Sequence, residues 1–121
     1  MPTRVLIVED EPNIAVALNF LLDREGFEVR VENDGARALD NLAATGADLV
    51  ILDVMLPNRS GFDILRDLRQ SPQAKTPVLM LTAKGQAQDR KIAEDLGVNA
   101  FMTKPFSNDE VVATVRRLTS E

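Results

Sequence analysis

Apolar positions along the chain switch repeatedly between short continuous runs and stripes of helical period. Arg4 to Val8 reads as a strand buried on both faces, and Ile14, Ala17, Leu18, Leu21 and Leu22 then repeat at i, i+3, i+4, i+7 and i+8. Pro12 suits the first turn of that helix and Gly26 its stop. Glu28 to Val31 predicts a second, weaker strand, followed by a helix that opens near Asp34, turns Ala38, Leu39, Leu42 and Ala43 inward and stops at Gly46. Leu49 to Leu52 is the third strand. The loop Pro57, Asn58, Arg59, Ser60, Gly61 leads from it to a helix with Phe62, Leu65 and Leu68 on its buried stripe. Pro77 starts a fourth strand, Val78 to Leu81. The helix after it ends at Gly97 and shows only Ile92, Ala93 and Leu96 as an apolar face, so it should be the least firmly packed of the set. Asn99 to Met102 is the fifth strand. Ser107 and Glu110 make a capping box, Phe106 and Val111 a hydrophobic staple, and Val111, Val115 and Leu118 the inward stripe of the last helix.

Five strands alternating with five helices require parallel pairing, with each helix serving as a right-handed crossover over a sheet face. The expected architecture is a single three-layer α/β domain over residues 1–121, with no output domain within the chain. Ligands in such sheets bind beyond the carboxyl ends of the strands, where the strand order reverses.

Composition narrows the chemistry. There is no cysteine and no histidine among the 121 residues, which removes disulfides, thiolate catalysis, His-based triads and the commonest metal ligand. The net charge of -5 argues against direct nucleic-acid binding. No apolar run is long enough to span a bilayer, and Glu9 to Glu11 interrupt anything resembling a secretory signal, so no membrane association and a cytoplasmic location are expected.

Four strands end in residues with chemical capacity: Glu9 and Asp10 after the first, Asp53 after the third, Thr82 after the fourth and Lys104 after the fifth. For a strand order of 2-1-3-4-5, Asp10 and Asp53 become neighbours at the reversal, with Thr82 and Lys104 on the other side of Asp53. Converging carboxylates repel one another and tend to hold a proton unless they share a cation. Hard oxygen donors point to Mg²⁺, or Mn²⁺ in its place. Carboxylate, divalent ion, lysine and hydroxyl together suit an incoming phosphoryl group.

The set Glu9-Asp10, Asp53, Thr82-Ala83 and Lys104-Pro105-Phe106 resembles the receiver domain of two-component response regulators, over essentially the whole chain. The resemblance implies a doubly wound, flavodoxin-like five-stranded parallel sheet of order 2-1-3-4-5 with helices on both faces. It implies that Asp53 accepts a phosphoryl group from the phosphohistidine of a sensor histidine kinase or phosphotransfer protein. Asp10, Asp53 and the backbone carbonyl of Met55 would bind Mg²⁺, with Glu9 acting through water. Lys104 would contact the phosphoryl oxygens and the bond to Pro105 would be cis. Thr82 would turn inward to the phosphoryl group and Phe101 would follow from an exposed to a buried rotamer. The surface of helix four, strand five and helix five would then change for a downstream protein target or an output domain beyond this chain. Such a module catalyses only its own phosphoryl uptake and loss, and it is a monomer or a phosphorylation-dependent dimer. For dimerisation, Asn99, Ala100 and Phe101 stand where many DNA-binding members have an acidic pair and Tyr, while Arg90, Lys91, Asp95, Asp109 and Arg116 offer parts of the usual charge network.

Plainer explanations compete at each position. Asp53 and Thr82 are also suitable helix caps, Glu11 suits an acidic turn favoured by a helix dipole, and Phe101 suits core packing. Arg59 and Lys84 read as solvated loop charges flanking the site. Two functional alternatives stand beside the receiver. One is an Asp-nucleophile phosphatase of the haloacid-dehalogenase type, although Met55 stands where those enzymes usually carry a second acid. The other is a phosphorylation-independent interaction domain.

Overall fold

A computed structural model describes residues 2–83 and 87–120. Its strands are β1 (Arg4–Val8), β2 (Glu28–Glu32), β3 (Leu49–Leu52), β4 (Val78–Thr82) and β5 (Ala100–Thr103). The helices are α1 (Pro12–Arg24), α2 (Ala38–Thr45), α3 (Gly61–Arg69), α4 (Ala87–Asp95) and α5 (Asn108–Thr119), with a 3-10 turn, Gly35–Arg37, before α2. All pairings are parallel and the order is β2-β1-β3-β4-β5. Two β-α steps therefore run in opposite directions from β1, and the reversal lies between β1 and β3.

Alternation along the strands divides the core into two layers. Leu6, Val8, Val50, Leu52 and Met80 face α2, α3 and α4, where they meet Leu42, Leu65, Leu68 and Ala93. Val5, Ile7, Leu49, Ile51, Leu79 and Leu81 face α1 and α5, against Leu18, Leu22, Val111 and Val115. β1, β3 and β4 are buried along their lengths because helices cover both faces, whereas the edge strand β2 is largely exposed.

Local signals place the helix ends. Glu11 accepts the Asn13 N–H at 3.0 Å as the cap of α1, and Gly26 follows that helix at a φ of 95°. Ser60 caps α3, and Ser107 caps α5 through the Glu110 N–H, with Phe106 packed on the same core layer as Val111. Where a helix was expected to open at Asp34, Asp34 instead caps the 3-10 turn and α2 proper begins at Ala38.

Several expected inward positions differ. Ala17 and Ala43 are exposed, and Ala15 takes the core position in α1. Phe62 is only half-buried, while Ile64 beside it is buried. Alanine contributes little apolar surface, so it marks a helix face weakly, and the larger Leu side chains orient the stripe. Among the described residues, no helix is long and apolar enough to cross a membrane.

Candidate functional site

The register brings the polar strand ends together. Val8 lies opposite Leu52 in the β1–β3 pair, and the Asp53 N–H donates to the Val8 carbonyl at 3.2 Å. The next residues on each chain, Glu9-Asp10 and Asp53, therefore meet at the reversal point. One carboxylate oxygen from each of Glu9, Asp10 and Asp53 can be chosen so that all lie within 4.8 Å of one another. Glu9 and Asp53 are buried, and Asp10 is exposed. A cavity of about 310 Å³ opens the acidic end towards α1, between Asp10, Pro12, Val16, Asn19 and Val31.

From the end of β5 on the same sheet edge, Lys104 reaches across to these acids. Its Nζ donates to Glu9 Oε1 at 2.8 Å and to Asp53 Oδ2 at 3.0 Å, with 14% of its side chain exposed. The strand end that carries it is fixed by the Lys104 N–H on the Thr82 carbonyl at 2.9 Å, and the bond to Pro105 is cis. Burial raises the Glu9 carboxyl above the usual carboxylate range and the Asp53 charge adds to this, against the hydrogen bonds from Lys104 and the Glu11 N–H. Burial alone would lower the Lys104 ammonium, but the hydrogen bonds and charges of Glu9 and Asp53 outweigh it and hold the pKa above its ordinary value. Two acids, Glu9 and Asp53, thus share one ammonium.

Asp53 presents its second oxygen, Oδ1, to the Met55 N–H at 3.2 Å, and the Met55 side chain is exposed. Thr82 is wholly buried at the end of β4. Phe101 is buried in β5, not exposed, and the Arg90 guanidinium carbon lies 4.9 Å from its ring centroid. Arg59 is not a solvated charge: it pairs with Asp67 of α3. Lys84 lies outside the described residues. Of the charges named for dimerisation, Lys91 pairs with Asp95 within α4 and Arg116 reaches Glu25 after α1 at 2.7 Å. The donor set fits a divalent cation: hard oxygens from three carboxylates, two of them buried, in a chain without histidine or cysteine.

Sequence reasoning missed Gly61 as part of this site. A Cβ there would overlap the Asp53 carbonyl oxygen, so only glycine lets the loop close on the end of β3. Its placement at the first position of a helix, behind a serine cap, was the available signal.

Comparison with known proteins agrees with this geometry. Residues 5–116 match the response regulator receiver domain family. The chain belongs to that family. It is 45% identical over 114 residues to the sensory transduction protein RegX3 of Mycolicibacterium smegmatis, a match covering 94% of this chain and 49% of the relative. The chain thus spans about half the length of the curated relatives it matches. Among solved structures, chemotaxis protein CheY4 of Vibrio cholerae superposes with a TM-score of 0.91 at 29% identity, covering 98% of this chain and 99% of that one. The BeF3-activated N-terminal receiver domain of Klebsiella pneumoniae RstA gives 0.93 at 28% identity, covering 98% and 100%. This receiver domain is therefore a module of two-component signalling, and the haloacid-dehalogenase alternative falls away.

Proposed function

We propose that Asp53 is the phosphoryl acceptor of this receiver and that its donor is a phosphohistidine on a sensor histidine kinase or phosphotransfer protein. The observation that carries the reading is the double hydrogen bond of Lys104 to Glu9 and Asp53, which sets a fixed positive charge beside a buried nucleophile and its acidic neighbours. A carboxylate oxygen of Asp53 attacks phosphorus as the P–N bond breaks. The bonding pair returns to the imidazole nitrogen, and Asp53 becomes an acyl phosphate. Glu9, Asp10, Asp53 and the Met55 carbonyl would hold Mg²⁺, or Mn²⁺ in its place, and the ion would neutralise charge on the phosphoryl oxygens.

Lys104 then exchanges a carboxylate partner for phosphoryl oxygens, and the Thr82 hydroxyl donates to the same group. A phosphoryl group adds charge of roughly -1.5 to -2, enough to redirect both side chains. Phe101 and α4 follow, so the α4–β5–α5 surface changes as a shift between two conformations. The domain promotes only its own phosphoryl uptake and loss. Its output is a separate downstream protein or an output domain of the same polypeptide, in the cytoplasm where a kinase would present its phosphohistidine.

Acetyl phosphate with Mg²⁺ tests this directly. The intact mass should rise by one phosphoryl group in wild type and stay unchanged in Asp53→Ala. An unmodified wild type, or a modified Asp53→Ala, refutes the acceptor and favours the phosphorylation-independent interaction domain.

A further inference from the structure

Glu32, at the end of β2, is a buried acid that phosphoryl transfer does not use. Its carbonyl accepts the Glu9 N–H at 3.0 Å, and its carboxylate accepts the Asp34 N–H at 3.0 Å and the Asn41 side-chain amide at 3.1 Å. The strand end that braces Glu9 is thus also the anchor of the turn carrying Asp34. Asp34 in turn accepts at Oδ1 from Asn58 Nδ2 at 3.0 Å.

Asn58 belongs to the loop that follows Asp53, and its φ of 69° is a left-handed conformation that asparagine tolerates better than most residues. Beside this bond, Gly35 lies under the loop backbone; a Cβ there would stand 2.6 Å from the Arg59 carbonyl oxygen. The inner end of the loop is closed by the Gly61 N–H on the Val54 carbonyl at 2.8 Å. A circuit results, with Glu9 and Asp53 joined on one side by Lys104 and on the other through Glu32, Asp34 and Asn58.

We propose that the Asp34–Asn58 hydrogen bond is a positioning device for the acceptor site. It holds residues 55–59 at the spacing from Glu9 and Asp10 at which the divalent ion and the phosphoryl group are received. Neither side chain touches the reacting atoms; both act through the backbone of the loop. The inference rests on reading Asp53 as the acceptor in a Mg²⁺-dependent site. Partners outside a ligand set commonly change metal affinity by roughly 10- to 100-fold when removed.

Asn58→Gly keeps the left-handed backbone accessible and deletes only the side-chain bond. Asp34→Asn is its companion: the amide oxygen takes the place of Oδ1, which accepts both the Asn58 amide and the Ala36 N–H, so both bonds persist. Each protein is titrated with Mg²⁺ by NMR, amide exchange is followed over residues 54–60, and phosphoryl uptake from acetyl phosphate is read by mass. In Asn58→Gly, Mg²⁺ affinity should fall by about tenfold and loop exchange should quicken, whereas Asp34→Asn should stay close to wild type in both. A merely structural bond would lower the melting temperature without moving Mg²⁺ affinity, and that result overturns the proposal. So does a folded Asp34→Asn that behaves like Asn58→Gly. Normal Mg²⁺ effects without phosphoryl uptake would sink the acceptor reading and leave the positioning role supported; absence of Mg²⁺ binding in wild type would overturn both.

Discussion

Gly61 begins α3 where a Cβ would overlap the Asp53 carbonyl oxygen and stand 2.9 Å from the Val54 Cα, both backbone atoms that cannot swing aside. Gly61→Ala is therefore expected to cost more than an ordinary helix substitution, about 1–3 kcal/mol from overpacking, and to slow phosphoryl uptake by moving the loop. Denaturant midpoints and mass-detected uptake check the two effects separately. Arg69 at the end of α3 has a different burden. Its guanidinium donates to the carbonyls of Ala74, Thr76 and Gly97 and to Asn99 Oδ1, and Asn99 Oδ1 also accepts the Val78 N–H. One side chain thus ties the entry of β4 to the α4–β5 turn. Lysine cannot reproduce the planar fork, so Arg69→Lys should lose about 1.5–3 kcal/mol, measured by denaturant unfolding. Nothing in the sequence distinguishes Arg69 from the other arginines of a charged helix, because its partners are backbone carbonyls that any sequence would supply. At Asp34 the expectation concerns pH. The Asn58 hydrogen bond first, then the Ala36 N–H and the Arg37 charge, hold its carboxyl below the usual range. A depressed carboxyl stabilises the fold above its unfolded pKa and loses that contribution as pH falls through the folded one. The stability gap between wild type and Asp34→Ala should therefore shrink on acidification, in denaturant titrations run from neutral to acidic pH.

Among the helices, α4 has the weakest hold on the core. Ala93 is its one buried residue among those described, Ile92 is 37% exposed, and Leu96 just beyond the helix is half-buried. Amides in Ala87–Asp95 should accordingly exchange faster than those of α3 or α5, and uniformly slow exchange there would contradict this packing argument. Arg90 lies over Phe101, so the helix with least apolar anchorage is also the one that covers the ring expected to move. The element boundaries were legible because strands and helices here differ sharply in period: Leu49–Leu52 stops at an acid, and Ile14, Leu18, Leu21 and Leu22 mark one helix face. Alanine marked faces unevenly: Ala38 and Ala93 are buried as read, whereas Ala17 and Ala43 are exposed. The 3-10 turn at Gly35–Arg37 was hidden too, since Asp34 caps either kind of helix through the same side-chain bond.

Across the whole molecule, the acidic and basic ends were legible because a parallel sheet places every strand's carboxyl end on one side. The bracket behind them was not, because Asn58 and Asp34 belong to loops whose meeting depends on backbone geometry. Lys104 joins that plan at its far edge. Lys104→Ala should still bind Mg²⁺ but fail to pass the change from Asp53 to α4 and α5; NMR shifts in those helices on beryllofluoride addition would show it, and normal shifts would refute the role. Chelation of divalent ions should abolish phosphoryl uptake in wild type, as mass measurement would reveal.

The ion pair from Lys104 to Glu9 links residues 95 apart in sequence, almost the full length of the chain. During synthesis the acids at 9, 10 and 53 emerge long before their counter-charge, at translation speeds of about 5–20 residues per second. A nascent chain that stops short of β5 therefore carries three carboxylates with no ammonium between them, and their repulsion opposes closure of β1 on β3. The proposed acceptor site therefore gains its counter-charge last, with the end of the final strand, so its charge balance is a property of the nearly complete chain.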